Sequence, residues 1–222
     1  MILRTENIIK SFNKPGEDLK IIRDVSFGLD NGDFISIEGK SGSGKSTLLM
    51  ILGGLLSPDS GKIMFNEEDL YSMAPVQRAL AMNSGIGFVF QQFHLLPFLT
   101  VKENILTAAI PSKRSGVGAK AMALIEKFGL LQRANHLPSE LSVGERQRTA
   151  FARALLNNPV MILADEPTGN LDSENSELIF NHFAEFAKNG GAVAVVTHDE
   201  KAAKFAKTRY KLSDGKLENF MA

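Results

Sequence analysis

Phe34-Ile35-Ser36-Ile37-Glu38-Gly39-Lys40-Ser41-Gly42-Ser43-Gly44-Lys45-Ser46-Thr47-Leu48-Leu49 joins an apolar run, a glycine-rich octapeptide and the start of a second apolar run. Phe34–Glu38 is continuous rather than alternating, the pattern of a strand covered on both faces of a parallel sheet. Gly39–Ser46 matches G-x-x-x-x-G-K-[ST] in full. The glycines let the backbone wrap so that successive N–H groups point at phosphate oxygens. A helix expected over Lys45–Leu52 adds the positive end of its dipole. Gly39, Ser41, Gly42, Ser43, Gly44, Lys45, Ser46 and Thr47 are therefore candidates to hold a nucleotide. Lys45 would bring a charge to the β and γ phosphates and the Ser46 hydroxyl a ligand for Mg²⁺. An ordinary Gly/Ser-rich surface loop could share this composition, but the strand before it and the helix after it favour the phosphate loop.

Three further continuous runs extend the expected sheet: Ile86–Phe90, Val160–Ala164 and Ala192–Thr197. The second ends in Asp165-Glu166. Ligands of open α/β sheets bind at the C-terminal edge of the strands, so Asp165 is placed to hold Mg²⁺ and Glu166 to orient or deprotonate an attacking water. A solvated Asp-Glu-Pro turn is the plainer alternative and the weaker one beside a phosphate loop. Leu3–Lys10 and Ile21–Leu29 alternate as half-buried strands, with a turn at Lys14-Pro15-Gly16. Residues 93–157 read as mostly helical, broken at Pro97, around Pro111–Gly118 and at Pro138. This stretch is expected to form a helical lobe inserted between two strands of the core. Tyr210–Phe220 reads as a short hairpin turning at Asp214-Gly215.

Composition narrows the classes. The chain has 222 residues, enough for one large α/β domain. Lys plus Arg equals Asp plus Glu at 25 each, so net charge offers no footprint for nucleic acid. Cysteine is absent, which excludes disulfides, thiolate metal sites and a cysteine nucleophile. The start, Met1-Ile2-Leu3-Arg4-Thr5-Glu6, meets charge at once and lacks a signal peptide's apolar core. The longest greasy stretch, Leu48–Leu56, is split by Gly53-Gly54 and too short to span a bilayer. The expectation is a cytosolic address, with any membrane contact made through a partner.

A short helix upstream of Asp165 lies Leu141-Ser142-Val143-Gly144-Glu145-Arg146-Gln147-Arg148. Ser142 and Glu145 meet the capping-box pattern, and a capped helix end with free N–H groups is a ready phosphate site. The octapeptide resembles the L-S-G-G-Q/E signature of the ATP-binding-cassette (ABC) ATPases. That resemblance covers about Leu3 to Leu217. It implies an α/β fold: a RecA-like P-loop NTPase core, an antiparallel β subdomain and an inserted α-helical subdomain. Residues 1–222 would be a single domain, with 1–92 and 158–222 forming the core and β subdomain and 93–157 the helical subdomain with the signature. It further implies ATP hydrolysis coupled to transport, with ATP and Mg²⁺ as cofactors.

Residue by residue, the resemblance implies that Ser142, Gly144, Glu145 and Asp172 face the nucleotide of a second copy. Val143 departs from the family pattern, standing where the first signature glycine is usual and leaving less room for close backbone approach. Phe12 occupies the adenine-stacking position, its alternative being a core phenylalanine. Gln91, beside Gln92, matches the Q-loop glutamine that senses Mg²⁺ and links to the helical lobe. Gly169-Asn170-Leu171-Asp172 matches the D-loop, and His198 the switch histidine at the γ-phosphate. The implied catalytic set is Glu166, His198 and Gln91; the implied metal set is Ser46, Gln91 and Asp165.

Finer wording, in residues 87–97 and 164–172, is similar to the lipoprotein-release (LolD), macrolide-export (MacB) and cell-division (FtsE) group. The implied partners are a second copy of the chain, paired by ATP, and an integral membrane permease that holds it at the cytoplasmic membrane. No nucleic acid partner is implied. The apolar residues Phe93, Leu95, Leu96, Phe98 and Leu99 would either dock that permease or pack the helical lobe. A cell-division-type mechanical regulator and an amino-acid importer subunit are the alternatives.

Overall fold

Continuous apolar strands need a core on each face, and two cores are present. A computed structural model of the chain describes residues 1–14, 17–109, 116–199 and 201–220. The central strands are β3 (Phe34–Glu38), β6 (Ile86–Phe90), β7 (Met161–Asp165) and β8 (Ala192–Val196). In β7, Met161 and Leu163 enter one core while Ile162 and Ala164 enter the other. In β8, Ala192, Ala194 and Val196 face the first core, and Val193 and Val195 the second. This two-sided burial is why polar residues are missing from β8 and from Met161–Ala164 of β7, while β3 admits the small, buried Ser36.

The six-stranded sheet has the order β10-β9-β3-β8-β7-β6, where β9 is Thr208–Ser213 and β10 is Lys216–Asn219. β9, β3, β8, β7 and β6 run parallel, and β10 pairs antiparallel to β9. The hairpin turns at Asp214 and Gly215, with φ of 50° and 77°. Two successive positive φ values match the strand twist, as in a type I′ turn. Strand β7 begins and ends one residue later than the sequence predicts, and β8 ends one earlier. Asp165 is thus the last rung of the ladder, opposite Phe90 and Val196.

A second sheet of four strands is antiparallel, in the order β2-β1-β4-β5, with β1 Leu3–Lys14, β2 Glu17–Leu29, β4 Ser60–Phe65 and β5 Glu68–Asp69. β1 and β2 are longer than expected, and the Pro15-Gly16 part of the expected turn lies outside the described residues. Asn7 and Asp24 sit at positive φ where the register shifts, joined by an Asn7 Nδ2 to Asp24 Oδ1 hydrogen bond of 2.6 Å. Helix α1 (Lys45–Leu52) lies in the core shared by this sheet and one face of the other.

Between β6 and β7 run α3 (Val101–Leu106), α4 (Val117–Lys127) and α5 (Val143–Leu155), with three short 3₁₀ turns. The stretch is less helical than expected, and 110–115 lie outside the described residues. Phe93 and His94 are in left-handed turns, not a helix. Pro138 opens a 3₁₀ turn instead of merely ending a helix. Elements that the sequence reading does not contain are β4, β5, α2 (Pro75–Gly85), α6 (Ser173–Lys188) and α7 (Ala202–Phe205). Among the described residues no helix is long and apolar enough to cross a membrane.

Candidate active site

The phosphate loop is built by local backbone freedom. Gly42 and Gly44 have φ of 78° and 98°, where an L side chain is strained. A Cβ at Gly44 would also lie 2.6 Å from Ile21 Cγ2, and one at Gly39 would lie 2.5 Å from the Leu212 carbonyl. Gly44 is the residue before α1, so the loop opens directly into a helix N-terminus. Lys45 is only 8% exposed. Its ammonium folds back onto the loop, donating to the carbonyls of Gly39 at 2.8 Å and Lys40 at 3.2 Å. A cation held by two neutral carbonyls is free to exchange them for an anion.

The loop forms one wall of an open cleft of about 740 Å³, also lined by Phe12, Ile21, Gln91, Glu166 and His198. These come from separate strands. Gln91 follows β6, Glu166 follows β7, and His198 comes two residues after β8. Parallel pairing in the order β8-β7-β6 puts those three strand ends side by side. Phe12 is 41% exposed, with Lys10 Nζ 5.7 Å from its ring centroid. It is a surface aromatic at the cleft wall, not a core residue. Ile21 is the apolar cleft residue that motif reading missed; its only signal is its place in a half-buried strand.

Asp165 lies beneath the loop. Burial pushes its pKa up and the neighbouring Glu166 charge adds to that, while the adjacent Ser46 hydroxyl and the Lys45 charge oppose it. Its Oδ1 is buried with no hydrogen-bond partner among the described residues. An orphaned carboxylate oxygen beside a serine hydroxyl is a hard oxygen donor set that fits Mg²⁺. Glu166 has φ 44°, unusual for a residue with a side chain. Its N–H is held by the Val196 carbonyl at 2.8 Å. Its Oε2 accepts from the His198 N–H at 3.2 Å and lies 2.9 Å from His198 Nδ1.

The second group of sequence candidates does not line this cleft. Ser142 is the exposed N-cap of α5, and its Oγ accepts from the Glu145 N–H at 3.2 Å. Glu145 is engaged within its own chain. One carboxylate oxygen accepts from the Ser142 N–H at 2.8 Å, the other from Arg133 Nε at 2.9 Å. Gly144 is buried against α6, where a Cβ would meet Asn175 Oδ1 at 2.5 Å. Asp172 caps α6 through the Asn175 N–H at 2.8 Å and also takes the Asn175 side chain. Arg148 donates to Asn175 Oδ1 at 3.1 Å, tying the two helix starts together. Val143 points outward at the α5 terminus, 36% exposed. The capping box that the spacing gave Ser142 and Glu145 is formed, and Asp172 gains a capping role at home that the motif alone did not reveal.

The chain is similar to known proteins over most of its length. A family model described as ABC transporter matches residues 22–169. The dimeric structure of MJ0796, a bacterial ABC transporter cassette, is 36% identical over 99% of both chains, with a TM-score of 0.91. The dimeric post-hydrolysis state of the ATP-binding cassette MJ0796, bound to ADP and Pi, matches with the same identity, coverage and TM-score. A nucleotide-free ATP-binding cassette from an ABC transporter gives a TM-score of 0.83 at 29% identity, covering 97% of this chain and 89% of that one.

Proposed function

We propose that this chain, which belongs to the ABC transporter family and has its ATPase fold, is the ATP-hydrolysing subunit of an export or release complex and works as a pair. The observation that carries the reading is the separation of two surfaces suited to phosphate. The loop, Gln91, Glu166 and His198 line one cleft, while the capped end of α5 at Ser142 is exposed elsewhere. Two such chains facing each other would close each cleft with the other's helix end. The dimeric MJ0796 structures at 36% identity support this.

Phe12 and Ile21 would hold the adenine between apolar walls. The loop N–H groups would take the phosphates, and Lys45 would exchange its two carbonyls for phosphate oxygens. Ser46, Asp165 and Gln91 would hold Mg²⁺, which when bound neutralises charge developing on the phosphates. Glu166 would accept the proton of the attacking water, and His198 would hold Glu166 in place and contact the γ-phosphate. Ser142 and Gly144 would close over the partner's nucleotide, with Glu145 and Asp172 shaping that surface through their caps. A membrane permease would keep the chain at the cytoplasmic face. The wording of residues 87–97 and 164–172 supports a lipoprotein, macrolide or peptide substrate moved through that permease.

Mixing two inactive variants tests the shared site. Lys45→Ala disables a loop, and Ser142→Arg blocks a helix end. A mixed pair contains one intact composite site, so ATP hydrolysis should return on mixing. A Ser142→Arg chain with full activity on its own, or a mixture that stays inactive, would overturn the reading.

A further inference from the structure

Arg153 stands in the last turn of α5, and its guanidinium leaves that helix to grip the segment after Gln91. Nη1 donates to the His94 carbonyl at 2.5 Å and Nη2 to the Phe93 carbonyl at 2.6 Å. Phe93 and His94 are both left-handed, with φ of 59° and 47°. Two consecutive residues with side chains hold that conformation only when their surroundings enforce it. Rings help: His94 packs edge-on to Phe90 at 4.9 Å, and the Arg146 guanidinium lies 5.8 Å from the Phe93 centroid. The two carbonyls are otherwise fixed by Arg153. Burial lowers the arginine's pKa. A partly desolvated cation compensated by backbone oxygens holds those oxygens firmly.

Gln91 sits two residues before this pair and is held from its other side. Its carbonyl accepts from Asn170 Nδ2 at 3.1 Å, and its Nε2 lies 2.6 Å from where a Cβ on Gly169 would be. We propose that Arg153 is a positioning residue for ATP hydrolysis: by clamping the left-handed Phe93-His94 turn it sets where Gln91 stands in the cleft. It thereby links Gln91 to the helix whose other end is Ser142. Lysine is a poor replacement, because its single nitrogen lacks the reach and the fixed planar fork with which Nη1 and Nη2 meet these two carbonyls separately. The proposal rests on Gln91 acting in the cleft.

The test measures kcat, ATP dissociation constant, Mg²⁺ half-saturation and melting temperature for Arg153→Lys, Arg153→Ala, Gln91→Ala and the Arg153→Lys/Gln91→Ala pair. Arg153→Lys should lower kcat about tenfold through misplacement of Gln91. Its Mg²⁺ half-saturation should rise in the same direction as in Gln91→Ala, with ATP affinity and melting temperature near wild type. The double variant should be no worse than Gln91→Ala. Wild-type kcat and Mg²⁺ dependence in Arg153→Lys would overturn the proposal. So would losses that multiply in the double variant, or losses that follow a fall in melting temperature. Gln91→Ala with full turnover would instead remove the reading of Gln91 on which the proposal stands.

Discussion

His198 approaches Glu166 twice through the same oxygen: its backbone N–H lies 3.2 Å and its ring Nδ1 2.9 Å from Oε2. The left-handed φ of Glu166 turns the carboxylate back across the end of β8 to allow this. Among the described residues, Oε1 is thereby left as the oxygen that can meet a water in the cleft. Glu166→Gln preserves shape and can still accept from His198, but removes the basic carboxylate. It should keep ATP affinity within a few-fold and lower turnover by about 10²- to 10⁴-fold. It should also accumulate an ATP-bound pair, read by sizing chromatography with and without ATP. Turnover at the wild-type rate would remove Glu166 from the chemistry.

Asp165 should make stability and metal dependence move oppositely. Burial raises its pKa in the folded chain. Between the ordinary carboxylate value and that raised value, the folded state holds more protons than the unfolded one. Stability therefore falls as pH rises through this window, and the penalty persists above it. Asp165→Asn removes the penalty, so the nucleotide-free variant should melt higher than wild type at neutral pH. The advantage should vanish in acid, where Asp165 is neutral too. The same variant should lose Mg²⁺-dependent hydrolysis. A lower melting temperature at pH 7 would contradict the burial argument.

Gly169 leaves room for the Gln91 side chain. A Cβ there would lie 2.6 Å from Gln91 Nε2 and 3.2 Å from its Cδ. The clash meets the far end of a flexible side chain, so Gly169→Ala should fold and displace Gln91 instead. The expected result is kcat reduced about tenfold or more, with ATP affinity unchanged. Matched kinetics for Gly169→Ala and wild type would show that Gln91 has another rotamer that works.

Phe98 is 71% exposed and Leu96 40% exposed, while Asn104 fixes the backbone around them. Its Oδ1 accepts from the Leu96 N–H at 2.7 Å, and its Nδ2 donates to the Leu99 carbonyl at 2.8 Å. The apolar tips are thus presented on a rigid loop and not packed in the helical core, which favours docking for these two residues. Phe98→Ser should change stability by no more than about 0.5 kcal/mol and leave hydrolysis by the isolated chain intact. It should reduce recovery of the chain with the membrane permease proposed for it from solubilised membranes. Full recovery would assign the contact elsewhere.

Some elements were legible because their physics is local. The bounds of β3, β6 and α1 follow from runs of apolar residues and from the glycines that end or start them. Others were not. In β4, Ser60, Gly61 and Lys62 are exposed, and the strand exists because it pairs with β1. Helix α2 buries only Gly85, so it has no strong stripe to read. Helix α6 was readable in principle: Asp172 caps it, and Ile179, Phe183 and Ala187 recur at helical spacing. The region between β6 and β7 looked more helical than it is because Asn104 and Arg153 hold loop backbone by side-chain hydrogen bonds, which no periodicity announces.

By itself the sequence determined the strand, glycine loop and helix of residues 34–52, the order of the motifs and the family, since glycine conformations, strand burial and capping depend on neighbours along the chain. Only the tertiary structure decided which motifs share a cleft. Gln91, Glu166 and His198 meet because β6, β7 and β8 are adjacent parallel strands whose ends align in register. Ser142 stands apart because the packing of Gly144, Arg148 and Asn175 turns the start of α5 outward. Hydrogen-bond register and close packing join residues far apart in the chain, and neither is written in local spacing.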